Sequence, residues 1–171
     1  MQNNIVLCGF MGCGKTTVGK DLAENLGYTF IDTDEFIEKR ENMSVSDIFA
    51  QKGEPYFRSV ETEVTKELAE RQGLVIATGG GMMLNSQNAE SLNKTGVSFW
   101  IKVSVETILQ RLKGDTTRPL LQREDKDAAI RELLQKREPF YLKHSNFCID
   151  GEGEPKEVVE RILKALEKGR L

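Results

Sequence analysis

A chain of 171 residues with 39% hydrophobic and 30% charged residues has the composition of a folded globular protein rather than a disordered one. The formal net charge of −3 argues against a broad basic surface for nucleic acid. No apolar run approaches the ~20 residues that cross a bilayer, and the first residues do not resemble a signal peptide. We expect a cytoplasmic monomer with one domain over residues 1–171 and with no nucleic-acid or membrane partner.

The cysteines and the histidine are too few and too scattered for a disulfide framework or a zinc site. Cys8, Cys13 and Cys148 form no C-x-x-C pair, and His144 is the single histidine of the chain. We expect His144 to be an ordinary surface residue. With a single histidine, a His-rich metal site is excluded as well.

Short apolar runs alternate with longer amphipathic segments along the chain. The apolar runs predict strands at residues 5–8, 28–31, 74–77, 97–101 and 147–149. The amphipathic segments predict helices at residues 15–26, 55–71, 105–113, 128–141 and 155–168. Because strands and helices follow one another in this rhythm, the predicted fold class is α/β, with a parallel sheet covered by helices on both faces.

The first predicted strand runs into a loop that matches the phosphate-binding pattern G-x-x-x-x-G-K-[ST] over residues 9–16. Its glycines let successive N–H groups point at phosphates, and the helix that follows adds the positive end of its dipole. The Lys15 ammonium can reach the β- and γ-phosphates of a nucleotide, and the Thr16 hydroxyl can bind Mg²⁺. The predicted ATP contacts of this segment are Gly12, Cys13, Gly14, Lys15, Thr16 and Thr17.

Asp32 and Asp34 follow the second predicted strand and are the candidates for a metal-binding carboxylate. The third predicted strand ends in glycines at 79–81, with no acidic residue at the position of a Walker-B aspartate. On an extended turn, the two aspartates would face different ligands, one the metal and the other the acceptor. The alternative is that these residues only cap the next helix.

Residues 114–127 interrupt the alternation with a highly charged stretch that contains Gly114 and Pro119. Taken alone, such a stretch is typical of a solvated surface loop. In a nucleotide-binding protein it is better explained as a mobile lid that closes over the substrates.

Six short motifs together resemble those of the shikimate kinases, in that family's order and spacing. They are residues 9–16, Asp32-Thr33-Asp34, Phe57-Arg58-x-x-Glu61, Gly79-Gly80-Gly81, Arg118-Pro119-Leu120-Leu121 and Arg137-Glu138-Pro139-Phe140-Tyr141. The resemblance of these motifs implies a P-loop NTPase sandwich with a five-stranded parallel sheet in the order 2-3-1-4-5. It also implies ATP-dependent phosphorylation of the 3-hydroxyl of shikimate, with Mg²⁺ as cofactor, in the chorismate pathway to aromatic amino acids.

The resemblance also implies roles for individual residues. The implied catalytic residues are Lys15, Asp34 and, carried by the lid, Arg118. The implied acceptor contacts are Asp34, Arg58, Gly80 and Arg137, and the implied Mg²⁺ ligands are Thr16 and Asp32. The adenine is implied to lie between Arg111 and Pro155, and ATP also to contact Arg118. Guanidinium forks suit the carboxylate of shikimate, and Glu61 is three residues from Arg58 on a predicted helix, within its reach.

Other nucleotide-binding proteins remain as alternatives. A regulatory GTPase is disfavoured because Asn93-Lys94-Thr95-Gly96 lacks the aspartate that would bind the guanine edge. A kinase for another hydroxy acid, such as gluconate, would share the P-loop and lid but would not require both Arg58 and Arg137. A non-catalytic nucleotide sensor would have no need of acceptor chemistry, and a nucleic-acid-binding ATPase conflicts with the net charge.

Overall fold

The computed structural model describes residues 3–113 and 125–169. Its strands are β1 Asn4–Cys8, β2 Thr29–Asp32, β3 Leu74–Ala77, β4 Gly96–Lys102 and β5 Phe147–Asp150. Its helices are α1 Lys15–Leu26, α2 Thr33–Glu41, α3 Val45–Lys52, α4 Glu54–Ala69, α5 Ser86–Thr95, α6 Val105–Arg111, α7 Lys126–His144 and α8 Pro155–Lys168. A single 3-10 turn, Met82–Leu84, precedes α5.

The five strands form one parallel sheet in the order β2-β3-β1-β4-β5. The central strand β1 pairs with β3, where Ile5 lies opposite Val75, and with β4, where Leu7 lies opposite Phe99. All residues of β1 are buried, as expected for the middle strand of a parallel sheet that helices cover on both faces. The predicted fold class and strand order are confirmed.

Two groups of helices flank the sheet. Helices α1 and α8 pack against each other, and α4, α5 and α7 form the second group. The sequence of α8 shows why it lies where it does, since Val158, Val159 and Ile162 form a buried stripe at helical spacing. A capping box between Glu154 and Glu157 fixes the start of this helix.

The predicted helices at 15–26 and 155–168 coincide with α1 and α8, whereas α2, α3 and α5 were not predicted. Each missed helix is short, but directly before it stands a residue whose side chain accepts a backbone N–H of the first turn: Asp32, Ser44 and Asn85. The extended turn predicted after β2 is wrong. Asp34 lies in the first turn of α2, because Asp32 caps that helix.

His144 is buried, which corrects the expectation of a surface residue. Its Nδ1 atom lies 2.6 Å from the carbonyl oxygen of Met83, and its own carbonyl oxygen accepts the Asn93 side-chain amide at 2.9 Å. These bonds join the end of α7 to the 3-10 turn and to α5. The histidine thus supports the segment that follows β3.

Part of the predicted lid can be compared with the structure. Asp125 precedes α7 and residues 126–127 belong to it, while Arg118 and the rest of the segment lie outside the described residues. Among the helices of residues 3–113 and 125–169, none has the length and apolar character needed to span a bilayer. The cytoplasmic location, the monomeric state and the single-domain organisation stay predictions.

Candidate active site

The loop between β1 and α1 is shaped by glycines in conformations that other residues avoid. Gly9, Gly12 and Gly14 have φ angles of 143°, 81° and 95°. A Cβ atom on Gly9 would lie 2.8 Å from the carbonyl oxygen of Ile101, so the loop can seat against β4 only with glycine there. Helix α1 begins directly after Gly14 and has no side-chain cap in the described structure, which leaves its first N–H groups available to an anion.

Lys15 lies along this loop. Its Nζ atom donates to the carbonyl oxygens of Gly9 at 2.7 Å and of Phe10 at 3.1 Å. Both acceptors are neutral carbonyl oxygens, whereas a phosphate oxygen is negatively charged and binds an ammonium more strongly. The ammonium is therefore held close to the position where a nucleotide phosphate would bind.

Asp32 has two functions in the local structure. Its Oδ1 atom accepts the backbone N–H groups of Asp34 at 2.9 Å and Glu35 at 3.2 Å, which caps α2. Its Oδ2 atom accepts the Thr16 hydroxyl at 3.2 Å. The capping and metal-binding interpretations are thus compatible, because different oxygens serve each. Mg²⁺ usually binds only a few protein oxygens, such as a hydroxyl and one carboxylate. Phosphate oxygens and water then complete its coordination shell.

A cavity of about 280 Å³ opens beside the P-loop, over the carboxyl ends of β2, β3 and β1. Its apolar side is formed by Val45, Phe49 and Phe57, and the last two rings pack with their centroids 5.0 Å apart. Its polar side chains include Lys15, Thr16, Asp34, Arg58, Glu61 and Arg137. The structure therefore brings the predicted phosphate and acceptor residues into one space.

Arg58 is held in the cavity wall by two glutamates. Its Nη1 atom donates to Glu61 Oε1 at 2.7 Å, and its Nη2 atom donates to Glu54 Oε1 at 3.1 Å. Glu61 is 1% exposed, and its Oε2 atom has no hydrogen-bond partner among the described residues. Burial, and to a smaller degree Asp34, raises the pKa of Glu61 to about 7 despite the attraction of Arg58.

Arg137 enters the same cavity from α7 and is 5% exposed. Its guanidinium lies over the Phe10 ring, 5.7 Å from the centroid, so the P-loop itself supports the arginine. Its Nε atom has no hydrogen-bond partner within the described part of the chain. A buried guanidinium that lines a cavity is a site for an anionic group.

The glycines that follow β3 allow close approach of three functional side chains. A Cβ atom on Gly79 would lie 2.6 Å from Asp34 Oδ1, and one on Gly80 would lie 2.8 Å from Arg137 Nη1. A Cβ atom on Gly81 would collide with the guanidinium of Arg58. Each glycine therefore makes room for one of the predicted acceptor contacts.

Two residues that hold this glycine segment were assigned no role from the sequence. The Thr33 hydroxyl accepts the Gly79 N–H at 2.9 Å, and the Tyr141 hydroxyl donates to the Gly80 carbonyl oxygen at 2.5 Å. Tyr141 is fully buried, and burial raises its pKa well above the ordinary value. Both residues stand inside recognised motifs, but their partners are remote in sequence, so no local pattern could reveal the contacts.

The residues predicted to bind adenine lie away from the acceptor cavity. Arg111, the last residue of α6, donates from Nη1 to the Gly12 carbonyl oxygen at 3.0 Å. Pro155, the first residue of α8, is half-buried. Neither residue lines the acceptor cavity.

A parallel sheet of this order, with a phosphate-binding loop after its central strand and an acceptor cavity beside that loop, defines a P-loop phosphotransferase. The family model for shikimate kinase matches residues 11–167. The chain belongs to the shikimate kinase family.

Relatives of known name agree with this family over nearly the full chain. A shikimate kinase of Thermodesulfovibrio yellowstonii is 51% identical over 98% of this chain and 96% of its own length. The structure of a shikimate kinase from Acinetobacter baumannii in complex with shikimate gives a TM-score of 0.95 at 40% identity, covering 100% of this chain and 96% of that one. The Aquifex aeolicus shikimate kinase gives 0.87 at 40% identity, covering 98% of each chain.

Replacing Glu61 should change how stability depends on pH. Because its pKa is raised from 4.5 to about 7, the folded protein keeps a proton that the unfolded chain releases. The resulting stabilisation is present below pH 4.5 and is lost as the pH rises to about 7. Relative to Glu61→Gln, the wild-type free energy of unfolding should therefore fall by on the order of 3 kcal/mol across this window.

Urea denaturation at pH 4.5, 6 and 8 measures this difference, and Glu63→Gln on the exposed face of α4 is the matched control. The control should follow the wild-type profile. Parallel profiles for the wild type and Glu61→Gln would contradict the raised pKa.

Proposed function

We propose that this protein transfers the γ-phosphoryl group of ATP to the 3-hydroxyl of shikimate, giving shikimate 3-phosphate and ADP in aromatic amino-acid biosynthesis. One observation carries the proposal. Arg58, Arg137 and Asp34 line the same cavity as Lys15 of the P-loop, so carboxylate-binding and hydroxyl-binding groups lie beside the phosphate site. Membership of the shikimate kinase family supports the same acceptor.

The acceptor is held by groups that match its chemistry. Shikimate carries one carboxylate, for which the guanidinium groups of Arg58 and Arg137 provide charge-assisted hydrogen bonds. The Gly80 N–H is a further donor toward the ring. Asp34, which lines the cavity next to Gly79, accepts hydroxyl protons and orients the reacting oxygen.

Transfer itself depends mainly on positioning and on neutralising charge. Phosphoryl transfer passes through a loose transition state, so the orientation of the reacting hydroxyl by Asp34 contributes to the rate together with acceptance of its proton. The Lys15 ammonium and the N-terminal N–H groups of α1 stabilise the phosphate charge. Arg118, which lies outside the described residues, is proposed to add a further cation from the predicted lid.

Thr16 and Asp32 are proposed to hold Mg²⁺, Asp32 through water, since their oxygens already lie 3.2 Å apart. The metal would neutralise phosphate charge. On the other side of the P-loop, Arg111 and Pro155 are proposed to contact the adenine. The nucleotide and the acceptor would then approach Lys15 from different sides.

A coupled assay of ADP release tests the proposal with shikimate, gluconate, AMP and no acceptor. With MgATP, shikimate should stimulate ADP release at least about tenfold more than gluconate or AMP, because unpaired buried cations penalise an acceptor that does not fit. Equal stimulation by gluconate would overturn the choice of acceptor and leave a kinase. No stimulation by any acceptor would favour a nucleotide sensor.

A further inference from the structure

Different strands and loops border the two sides of the P-loop in the described part of the chain. The acceptor cavity occupies the side over β2 and β3. The other side lies over the carboxyl ends of β4 and β5, where α6 and the loop of residues 151–154 follow those strands. Ligands of open parallel sheets bind at this edge. With Arg111 and Pro155 as the proposed adenine contacts, the nucleoside would extend between α6 and the 151–154 loop.

Glu152 connects the two walls of this site, which are α6 and the loop of residues 151–154. Its Oε1 atom accepts the Ser104 N–H at 2.6 Å, and its Oε2 atom accepts the Thr107 hydroxyl at 3.0 Å. Ser104 caps α6, and Thr107 lies in the first turn of that helix. A single carboxylate therefore connects the β5–α8 loop to the helix that ends in Arg111.

The main chain of Glu152 is fixed as well. Its N–H donates to Asp150 Oδ1 at 3.0 Å, and its carbonyl oxygen accepts Arg161 Nη1 at 2.6 Å. Arg161 also donates to the Asp150 carbonyl oxygen at 2.8 Å, which ties the loop to α8. The side chain of Glu152 is thus presented to α6 from a backbone with little freedom.

The glycines beside Glu152 show that the loop is closely seated. A Cβ atom on Gly151 would lie 2.8 Å from Cγ1 of Val103, the residue after β4, and Gly153 has a φ of 93°. The hydrogen bonds from Ser104 and Thr107 lower the pKa of Glu152, so the carboxylate is charged at neutral pH. Charge-assisted bonds of this kind hold the two walls together more firmly than neutral ones would.

We propose that Glu152 is a positioning residue for the nucleoside, fixing the spacing between α6, which carries Arg111, and the loop that leads to Pro155. The proposal rests on the proposed function, in that ATP is the phosphoryl donor. Glu152 does not line the cavity that contains Lys15 and the acceptor residues. Its loss should therefore weaken binding of the nucleoside and leave binding of the phosphate chain unchanged.

Calorimetric titration with ADP and with inorganic tripolyphosphate separates these two contributions. In Glu152→Ala, ADP should bind about tenfold more weakly, while tripolyphosphate affinity stays within about twofold of wild type. Glu152→Gln keeps an acceptor for the Ser104 N–H, so its ADP affinity should stay within about threefold of wild type. The control Glu160→Gln, on the exposed face of α8, should change neither.

Steady-state kinetics gives a second readout. The KM for ATP should rise in Glu152→Ala, while kcat and the KM for shikimate stay close to wild type. Unchanged ADP affinity in Glu152→Ala would overturn the inference. So would an equal loss of ADP and tripolyphosphate affinity, since that would mean a general structural role.

Two further outcomes keep the test decisive. If Glu152→Ala does not fold, Thr107→Val removes one of the contacts and should weaken ADP binding about threefold, again with tripolyphosphate spared. Unchanged ADP affinity in Thr107→Val would then overturn the inference. If the wild-type protein binds tripolyphosphate but not ADP, the proposed function fails first, which is distinguishable from the failure of Glu152 alone.

Discussion

Asp34→Asn is expected to lower kcat by about 10²–10⁴-fold, with no rescue by added Mg²⁺. An amide cannot accept the proton of the reacting hydroxyl, and its NH₂ group presents a donor where the substrate also offers one. The side chain at position 34 has little room to move, because the carboxylate packs closely against Gly79. A Cβ atom on that glycine would lie 2.6 Å from Asp34 Oδ1. Initial rates measured across a Mg²⁺ titration test this expectation.

Asp32→Asn is the informative comparison for this variant. Asparagine keeps an oxygen for the N–H groups that Asp32 caps and is itself a favoured cap, so α2 should persist. The negative charge beside Thr16 is lost. The main effect should be a higher Mg²⁺ concentration needed for full activity, so that excess Mg²⁺ partly restores the rate. Rescue of Asp34→Asn by metal, or a flat metal response in Asp32→Asn, would mean that the two roles are reversed.

Arg137→Ala should weaken shikimate binding by about ten- to a hundredfold while ATP affinity stays nearly unchanged. Charge-assisted hydrogen bonds are worth roughly 1.5–3 kcal/mol, and each 1.4 kcal/mol is about tenfold in affinity. Arg137→Lys should restore little, because an ammonium cannot reproduce the planar fork that lies over Phe10. Calorimetry with shikimate and, separately, with an unhydrolysable ATP analogue measures both affinities.

Arg131→Ala is the matched control for Arg137, since it removes an arginine from the solvent-exposed side of α7. Its shikimate and ATP affinities should equal those of the wild type. Arg58→Ala should resemble Arg137→Ala, with an additional loss of stability because buried Glu61 loses its cationic partner. Loss of ATP binding in Arg137→Ala would show that this arginine serves the nucleotide or the fold.

The sequence alone determined the parts of this protein that depend on local pattern. The P-loop was predicted from residues 9–16, because phosphate binding requires glycines and a lysine at fixed spacing before a helix. The fold class followed from the alternation of apolar and amphipathic segments, and the strand order followed from the resemblance of six motifs to one family. Arg58, Arg137 and Asp34 were named in the same way, and they do line one cavity.

Tertiary structure decided how those residues are held, and distance in sequence is the reason. Glu61 was expected to contact Arg58, but its burial and raised pKa depend on how α4 packs. Gly80 contacts Arg137 and Tyr141, which are more than fifty positions away in the sequence. The hydrogen bond between Ser104 and Glu152 joins residues that are 48 positions apart. A motif records which residue types stand near one another along the chain, whereas burial and long-range hydrogen bonds arise only when the sheet brings separate strand ends together.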